Sequence, residues 1–110
     1  MHEPLTAAEY KAIAAGLALP TNAFIDGAFR PANSGNTFDT INPATGDVLA
    51  KVAACDETDV DYAALKAREA FDDGRWRNLA PGERKKILLR FAKLLERNRH
   101  ELAVMESLDS

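Results

Sequence analysis

Apolar positions along the chain change their spacing as it proceeds, and each change marks a new kind of element. Thr6-Ala7-Ala8-Glu9 has the spacing of a reciprocal helix cap, and Tyr10, Ile13, Ala14 and Leu17 follow at helical intervals. The pattern predicts a short leading helix that Gly16 or Pro20 ends. Ala23-Phe24-Ile25 and Ala28-Phe29-Arg30 then flank Asp26-Gly27, a pair suited to the positive φ angles of a two-residue hairpin turn. Residues Pro31 to Asn36 are small and polar and read as a loop. A second extended pair surrounds Asn42-Pro43-Ala44-Thr45-Gly46, where Pro43 fixes φ and Gly46 supplies the reversal. In its second arm Val48, Ala50 and Val52 alternate with Leu49, Lys51 and Ala53, a period of two.

Beyond this point the period becomes helical. Val60, Ala63, Ala64, Ala67 and Phe71 form one face of a helix that Asp56 or Thr58 caps and Gly74 ends. Its alanines predict close packing against another element. Leu79-Ala80-Pro81 opens a longer helix with Pro81 at its first position and Glu83 in its first turn. Ile87, Leu88, Phe91, Leu94 and Leu95 make its apolar stripe, with Lys85, Lys86, Arg90, Lys93 and Arg97 mostly off it. Asn98-Arg99-His100-Glu101 again has capping spacing, which predicts a break and a fresh helix carrying Leu102, Met105 and Leu108. The fold expected of this segment is α+β: a leading helix, two β-hairpins, then three amphipathic helices. No strand separates those helices, so no βαβ unit is present.

Composition narrows the field. The 110 residues are 46% hydrophobic and 28% charged, an ordinary balance for a soluble protein, and suffice for one small domain. A net charge of −3 lacks a basic footprint, so nucleic acid is not an expected partner. No apolar run approaches the ~20 residues that span a bilayer, and Met1-His2-Glu3-Pro4 does not open a signal peptide. A single cysteine suits a reducing compartment, which makes the cytoplasm the expected location.

A search for chemistry finds little. Cys55 is the one thiol, and beside Ala53 and Ala54 its neighbours are the carboxylates Asp56 and Glu57, whose negative charge disfavours a thiolate, so it reads as a small buried or strand-end residue. His2 and His100 are too scattered for a zinc site; His100 reads as a solvated residue at a helix start. The carboxylate pairs Asp59/Asp61 and Asp72/Asp73 fall at helix ends, where capping explains them. The glycines are isolated, and no dinucleotide fingerprint is formed. Trp76, between Arg75 and Arg77, reads as a packing residue after a helix.

Five segments in order nevertheless resemble the N-terminal region of NAD(P)-dependent aldehyde dehydrogenases. Phe24-Ile25-Asp26-Gly27 resembles the family's first hairpin, and the run from Thr37 to Gly46 its Asn-Pro-Ala-Thr-Gly strand pair. Asp59-Val60-Asp61 with Ala70-Phe71 and Trp76 resembles the next helix and its trailing tryptophan. Arg84 with Leu88 to Leu95, and Glu106-Ser107-Leu108-Asp109-Ser110, resemble the two helices that precede a Gly-Lys-Pro segment. Ala80 departs from the usual serine before Pro81. The leading helix resembles extensions of the branch acting on γ-glutamyl-γ-aminobutyraldehyde.

The resemblance implies an α/β parent of the aldehyde dehydrogenase fold, several times longer than this chain. Such an enzyme oxidises an aldehyde to a carboxylic acid through a thiohemiacetal on a cysteine and passes hydride to NAD or NADP. The nucleophile, base and cofactor-binding residues would all lie in the remainder of the chain, and none is assigned here. Residues 1–22 would be a leading extension and residues 23–110 an incomplete part of the cofactor-binding domain. The implied partners are that remainder, an aldehyde and further copies of the chain in a homodimer or homotetramer. One site carries over from the family: a monovalent cation, Na⁺ or K⁺, held by backbone carbonyls of Thr40 and Ile41 and by Asp109. The abrupt stop after a helical pattern is the behaviour expected of a truncated chain. The competing expectation is a non-catalytic α+β scaffold or partner-binding module.

Overall fold

The computed structural model describes residues 4–110. Its elements are α1 (Ala7–Gly16), β1 (Ala23–Ile25), β2 (Ala28–Arg30), β3 (Thr37–Ile41), β4 (Val48–Ala53), α2 (Glu57–Asp72), α3 (Pro81–Arg97) and α4 (Arg99–Asp109). The strands form two separate antiparallel pairs, β1 with β2 and β3 with β4. The α+β arrangement read from the sequence is therefore the one observed.

Local chemistry explains most boundaries. The Thr6 hydroxyl accepts from the Glu9 amide at 3.2 Å while the Glu9 carboxylate accepts from the Thr6 amide at 3.0 Å, closing the box that starts α1. Asp26 (φ 54°) and Gly27 (φ 77°) are both left-handed, as the hairpin turn requires. In the β3–β4 turn the Asn42 side chain accepts from the Ala44 amide at 2.9 Å and the Asn42 carbonyl from the Gly46 amide at 2.8 Å. Asp56 caps α2, and Pro81 occupies the first turn of α3 behind Ala80, whose side chain makes no cap.

Contacts between elements are sparse. Arg30 lies over the Tyr62 ring at 4.1 Å and ties β2 to α2. The Ala53 and Ala54 amides donate to Thr21 and Asn36 carbonyls at 2.8 and 2.9 Å, tying β4 to the segments around the first hairpin. α1 lies on α4, where the Tyr10 ring meets the His100 ring edge-on at 5.7 Å and its hydroxyl sits 3.4 Å from Nδ1. Arg84 joins α3 to the preceding connection by donating to the Leu79 and Arg77 carbonyls at 2.9 and 3.2 Å.

The described residues form a slab, 47 × 42 × 18 Å, with a radius of gyration of 17.8 Å. A compact domain of this length measures about 13 Å. Among the described residues only Ala32 and Val104 are buried apolar side chains, whereas Leu88, Phe91, Leu94 and Leu95 on α3 and Phe24, Phe29 and Phe38 on the hairpins are exposed. The amphipathic stripe of α3 exists as the spacing predicts; Ile87 is half-buried, and Leu88, Phe91, Leu94 and Leu95 are left exposed by the described residues.

Several expectations require correction. On α2 the inward residues are Asp59, Tyr62, Ala63, Lys66 and Ala70, while Val60, Ala64, Ala67 and Phe71 are exposed, because the hairpin and loop pack on the side that carries Asp59. Asn98 separates α3 from α4 but forms no capping box. Its backbone (φ −101°, ψ 17°) is not extended, and its side chain donates back to the Leu94 carbonyl at 2.8 Å. Along β4 the period of two fails at Leu49 and Ala50, which both turn inward because the register slips beside them. Cys55 stands at a strand end, as one reading held, but it is exposed rather than buried. His100 is half-buried under Tyr10 rather than solvated. Trp76 is exposed rather than packed, and Arg77 lies instead over Phe71 at 4.8 Å. His2 falls outside the described residues.

Candidate functional site

Two distant segments meet at the end of β3. Thr40 pairs with Ala50 and Ile41 with Val48, so the register shifts by one residue between them and Leu49 bulges from β4. A bulge interrupts the ladder and bends the strand. Opposite this point, α4 ends at Asp109. The Thr40 hydroxyl donates to Asp109 Oδ1 at 2.8 Å, across 69 positions of sequence. The two residues line a cleft of about 350 Å³ whose walls include Leu49, Val52, Leu102, Met105 and Glu106.

The polar side chains that line this cleft are the Thr40 hydroxyl and the carboxylates of Glu106 and Asp109, beside the C-terminal, negative end of the α4 dipole. It offers no nucleophile and no proton-transfer pair. Thus the structure brings Thr40 and Asp109 into contact, while Ile41 follows Thr40 in β3 with its side chain exposed and outside the residues that line the cleft. Glu106, one turn before Asp109, was not singled out from the sequence; its three-residue spacing from Asp109 was the available signal.

The carboxylate pairs have other work. Asp59 is the buried charged residue of the described chain, 4% exposed. Its Oδ2 accepts from the Asp56 amide and its Oδ1 from the Asn33 amide, both at 3.0 Å, so it fastens the loop before β3 to the start of α2. Those two amide bonds, the Asp56 one foremost, hold its carboxyl below the ordinary value near 3.8, with Arg30 adding a weaker pull. Asp73 is likewise lowered, chiefly by the hydrogen-bonded Arg75 side chain, whose Nη2 donates to Oδ2 at 2.6 Å. Both acids are ionised structural anchors.

Catalytic machinery is not assembled. Among the described residues no three His, Cys, Asp or Glu side chains gather as metal ligands, and no helix is long and apolar enough to cross a membrane.

The sequence profile of the aldehyde dehydrogenase family matches residues 29–110, three quarters of the chain. The chain belongs to the aldehyde dehydrogenase family. Aminoacetaldehyde dehydrogenase of Pseudomonas aeruginosa is 62% identical over 110 residues, covering 100% of this chain and 22% of that protein. The solved structure of γ-glutamyl-γ-aminobutyraldehyde dehydrogenase from Burkholderia cenocepacia superposes with a TM-score of 0.93 at 49% identity, covering 96% of this chain and 22% of that one. Indole-3-acetaldehyde dehydrogenase of P. syringae, solved with NAD⁺ and IAA, gives a TM-score of 0.91 at 48% identity over 96% of this chain and 21% of its own. The chain therefore spans about a fifth of the length of these relatives.

Proposed function

We propose that this chain is the N-terminal portion of an NAD(P)⁺-dependent aldehyde dehydrogenase that oxidises an aldehyde to a carboxylic acid. The observation that carries the reading is identity of 62% along the whole chain with an aminoacetaldehyde dehydrogenase of which it spans 22%. In this reading a cysteine in the remainder of the enzyme attacks the aldehyde carbon to give a thiohemiacetal, hydride leaves for the nicotinamide, and water releases the acid. Cys55 is not that cysteine on this reading: it is exposed just past a strand end, followed by the acidic pair Asp56-Glu57. The NAD⁺ complex of the indole-3-acetaldehyde enzyme supports NAD over NADP. The relatives acting on aminoaldehydes favour a substrate of that class.

Residues 23–110 form part of the cofactor-binding domain in this account, and residues 1–22 a leading extension whose helix α1 lies along α4. The exposed stripe of α3 and the hairpin phenylalanines are surfaces for the remainder of the same enzyme. Contiguous apolar faces of this kind are too large to leave in water. Sparse contacts and a radius of gyration well above the compact value argue the same way. The enzyme is a cytoplasmic homo-oligomer on this reading.

The oxygen cluster at β3 and α4 is assigned to a monovalent cation, Na⁺ or K⁺, with backbone carbonyls of Thr40 and Ile41 and the carboxylate of Asp109 as ligands. Three features of the chain suit it: a carboxylate held against β3, a bulge that disturbs the ladder at those two residues, and a helix C-terminus beside them. Oxygen ligands of this kind match a hard ion. The cation serves to join strand to helix rather than to perform chemistry. The dehydrogenase reading is tested by adding amino-, aliphatic and aromatic aldehydes with NAD⁺ to the full-length enzyme. NADH formation with at least one class is expected, and none with any class overturns the assignment.

A further inference from the structure

The Thr40 side chain does something that its carbonyl alone does not explain. Backbone ligation would be served by almost any residue at that position. Yet Thr40 Oγ1 donates to Asp109 Oδ1 at 2.8 Å, the side-chain bond that joins β3 to the end of α4. Asp109 is an exposed residue in the last turn of its helix, where a carboxylate samples several rotamers unless something holds it. Fixing one carboxylate oxygen fixes the plane of the group. It also leaves Oδ2 without a donor among the described residues. The holding group and the two proposed carbonyl ligands belong to neighbouring positions of β3, opposite the bulge at Leu49 of β4.

We propose that the Thr40 hydroxyl is the positioning group of the cation site: it holds the Asp109 carboxylate on the strand end that carries the two carbonyls, and thereby sets the affinity for the ion. This inference rests on the cation assignment given above. It contrasts with a second role the same bond could play, in which the hydroxyl proton satisfies Asp109 in place of the ion and must be displaced. Positioning makes the hydroxyl an aid to binding. Displacement makes it a competitor.

The test is the melting temperature of the full-length enzyme titrated with potassium or sodium chloride, against choline chloride at matched ionic strength. A saturating rise gives an apparent Kd for the ion. Thr40→Val keeps the shape of the side chain and suits a strand, so the fold is retained while the donor is lost. Thr40→Ala repeats the test should the valine variant not yield folded enzyme. The expected result is an apparent Kd about tenfold weaker in Thr40→Val, the loss typical of a group that orients a metal ligand. Thr40→Ser restores wild-type affinity, and Asp109→Asn abolishes the shift. A purely structural bond would lower melting equally in choline and in potassium and leave the Kd unmoved. If Asp109→Asn abolishes the shift while Thr40→Val binds as well as or better than wild type, the site stands and the positioning role is overturned. The role is equally overturned if Thr40→Ser is as weak as Thr40→Val. If the wild-type enzyme shows no shift specific to either cation, the site assignment and this inference fall together.

Discussion

Replacing Gly74 with alanine tests how the end of α2 is built. The residue sits at φ +77°, in the left-handed region, just past the last turn of the helix. A β-carbon in that conformation costs about 1–2 kcal/mol. It would also overlap Cγ and Nδ2 of Asn78, whose amide donates to the Gly74 carbonyl at 3.0 Å. Asn78 is exposed, so its side chain can swing away, at an off-rotamer cost of about 1 kcal/mol. Gly74→Ala therefore destabilises the junction by about 2–3 kcal/mol in total. Opening the junction relieves both strains, so amide hydrogen exchange at Asp73, Gly74 and Asn78 should accelerate about thirtyfold or more. In an Asn78→Ala background the overlap is gone and only the backbone part remains, a few-fold to about thirtyfold. Unchanged exchange in Gly74→Ala would refute the left-handed cap. An equal effect in both backgrounds would refute the overlap.

Other consequences are smaller or more local. Thr6→Ala removes half of the capping box and should cost about 1 kcal/mol, read as roughly fivefold faster exchange of the Tyr10 amide, with protection elsewhere unchanged. Asp59 has a depressed folded pKa, so it stabilises the fold above its unfolded value near 3.8, and that contribution is lost as pH falls through the lower folded value. Acid unfolding curves of Asp59→Asn should consequently be flatter than wild type below pH 3.8, and parallel curves would show that its two amide bonds carry no linkage. Cys55→Ala in the full-length enzyme should leave kcat/KM within about twofold, since the nucleophile is proposed to be another cysteine; a loss of several orders would make Cys55 a participant.

What could be read from the sequence was whatever depends on residues close together along it. Asp26-Gly27 announces its turn because positive φ is a property of those two residues. Thr6 and Glu9 cap α1 because each meets the other's amide three positions away. The face of α2 was misread for the opposite reason. Val60, Ala64, Ala67 and Phe71 do share a helical side, but burial depends on which side meets the hairpin. In this chain that is the side where Asp59 meets the Asn33 amide, 26 positions away. Asn98 shows a subtler failure: its spacing marks a true helix break, yet the box needs an extended cap that a tight α3–α4 joint does not allow. Contact between Thr40 and Asp109 has no local signal at all. Only the family resemblance puts Thr40 and Asp109 together, as proposed cation ligands, and it gives no hint of the hydroxyl bond between them.

On the proposed reading this segment is a structural part of a dehydrogenase whose reacting groups lie in the remainder of the enzyme. The most direct measurement is aldehyde-dependent NADH formation, compared between the full-length enzyme and a purified 110-residue chain of verified mass. Turnover by the full-length enzyme and none by the segment alone is the predicted outcome. Sustained NADH formation by the segment would contradict it, since a thiol followed by two carboxylates and a chain without a dinucleotide cradle would then be acting as a catalyst.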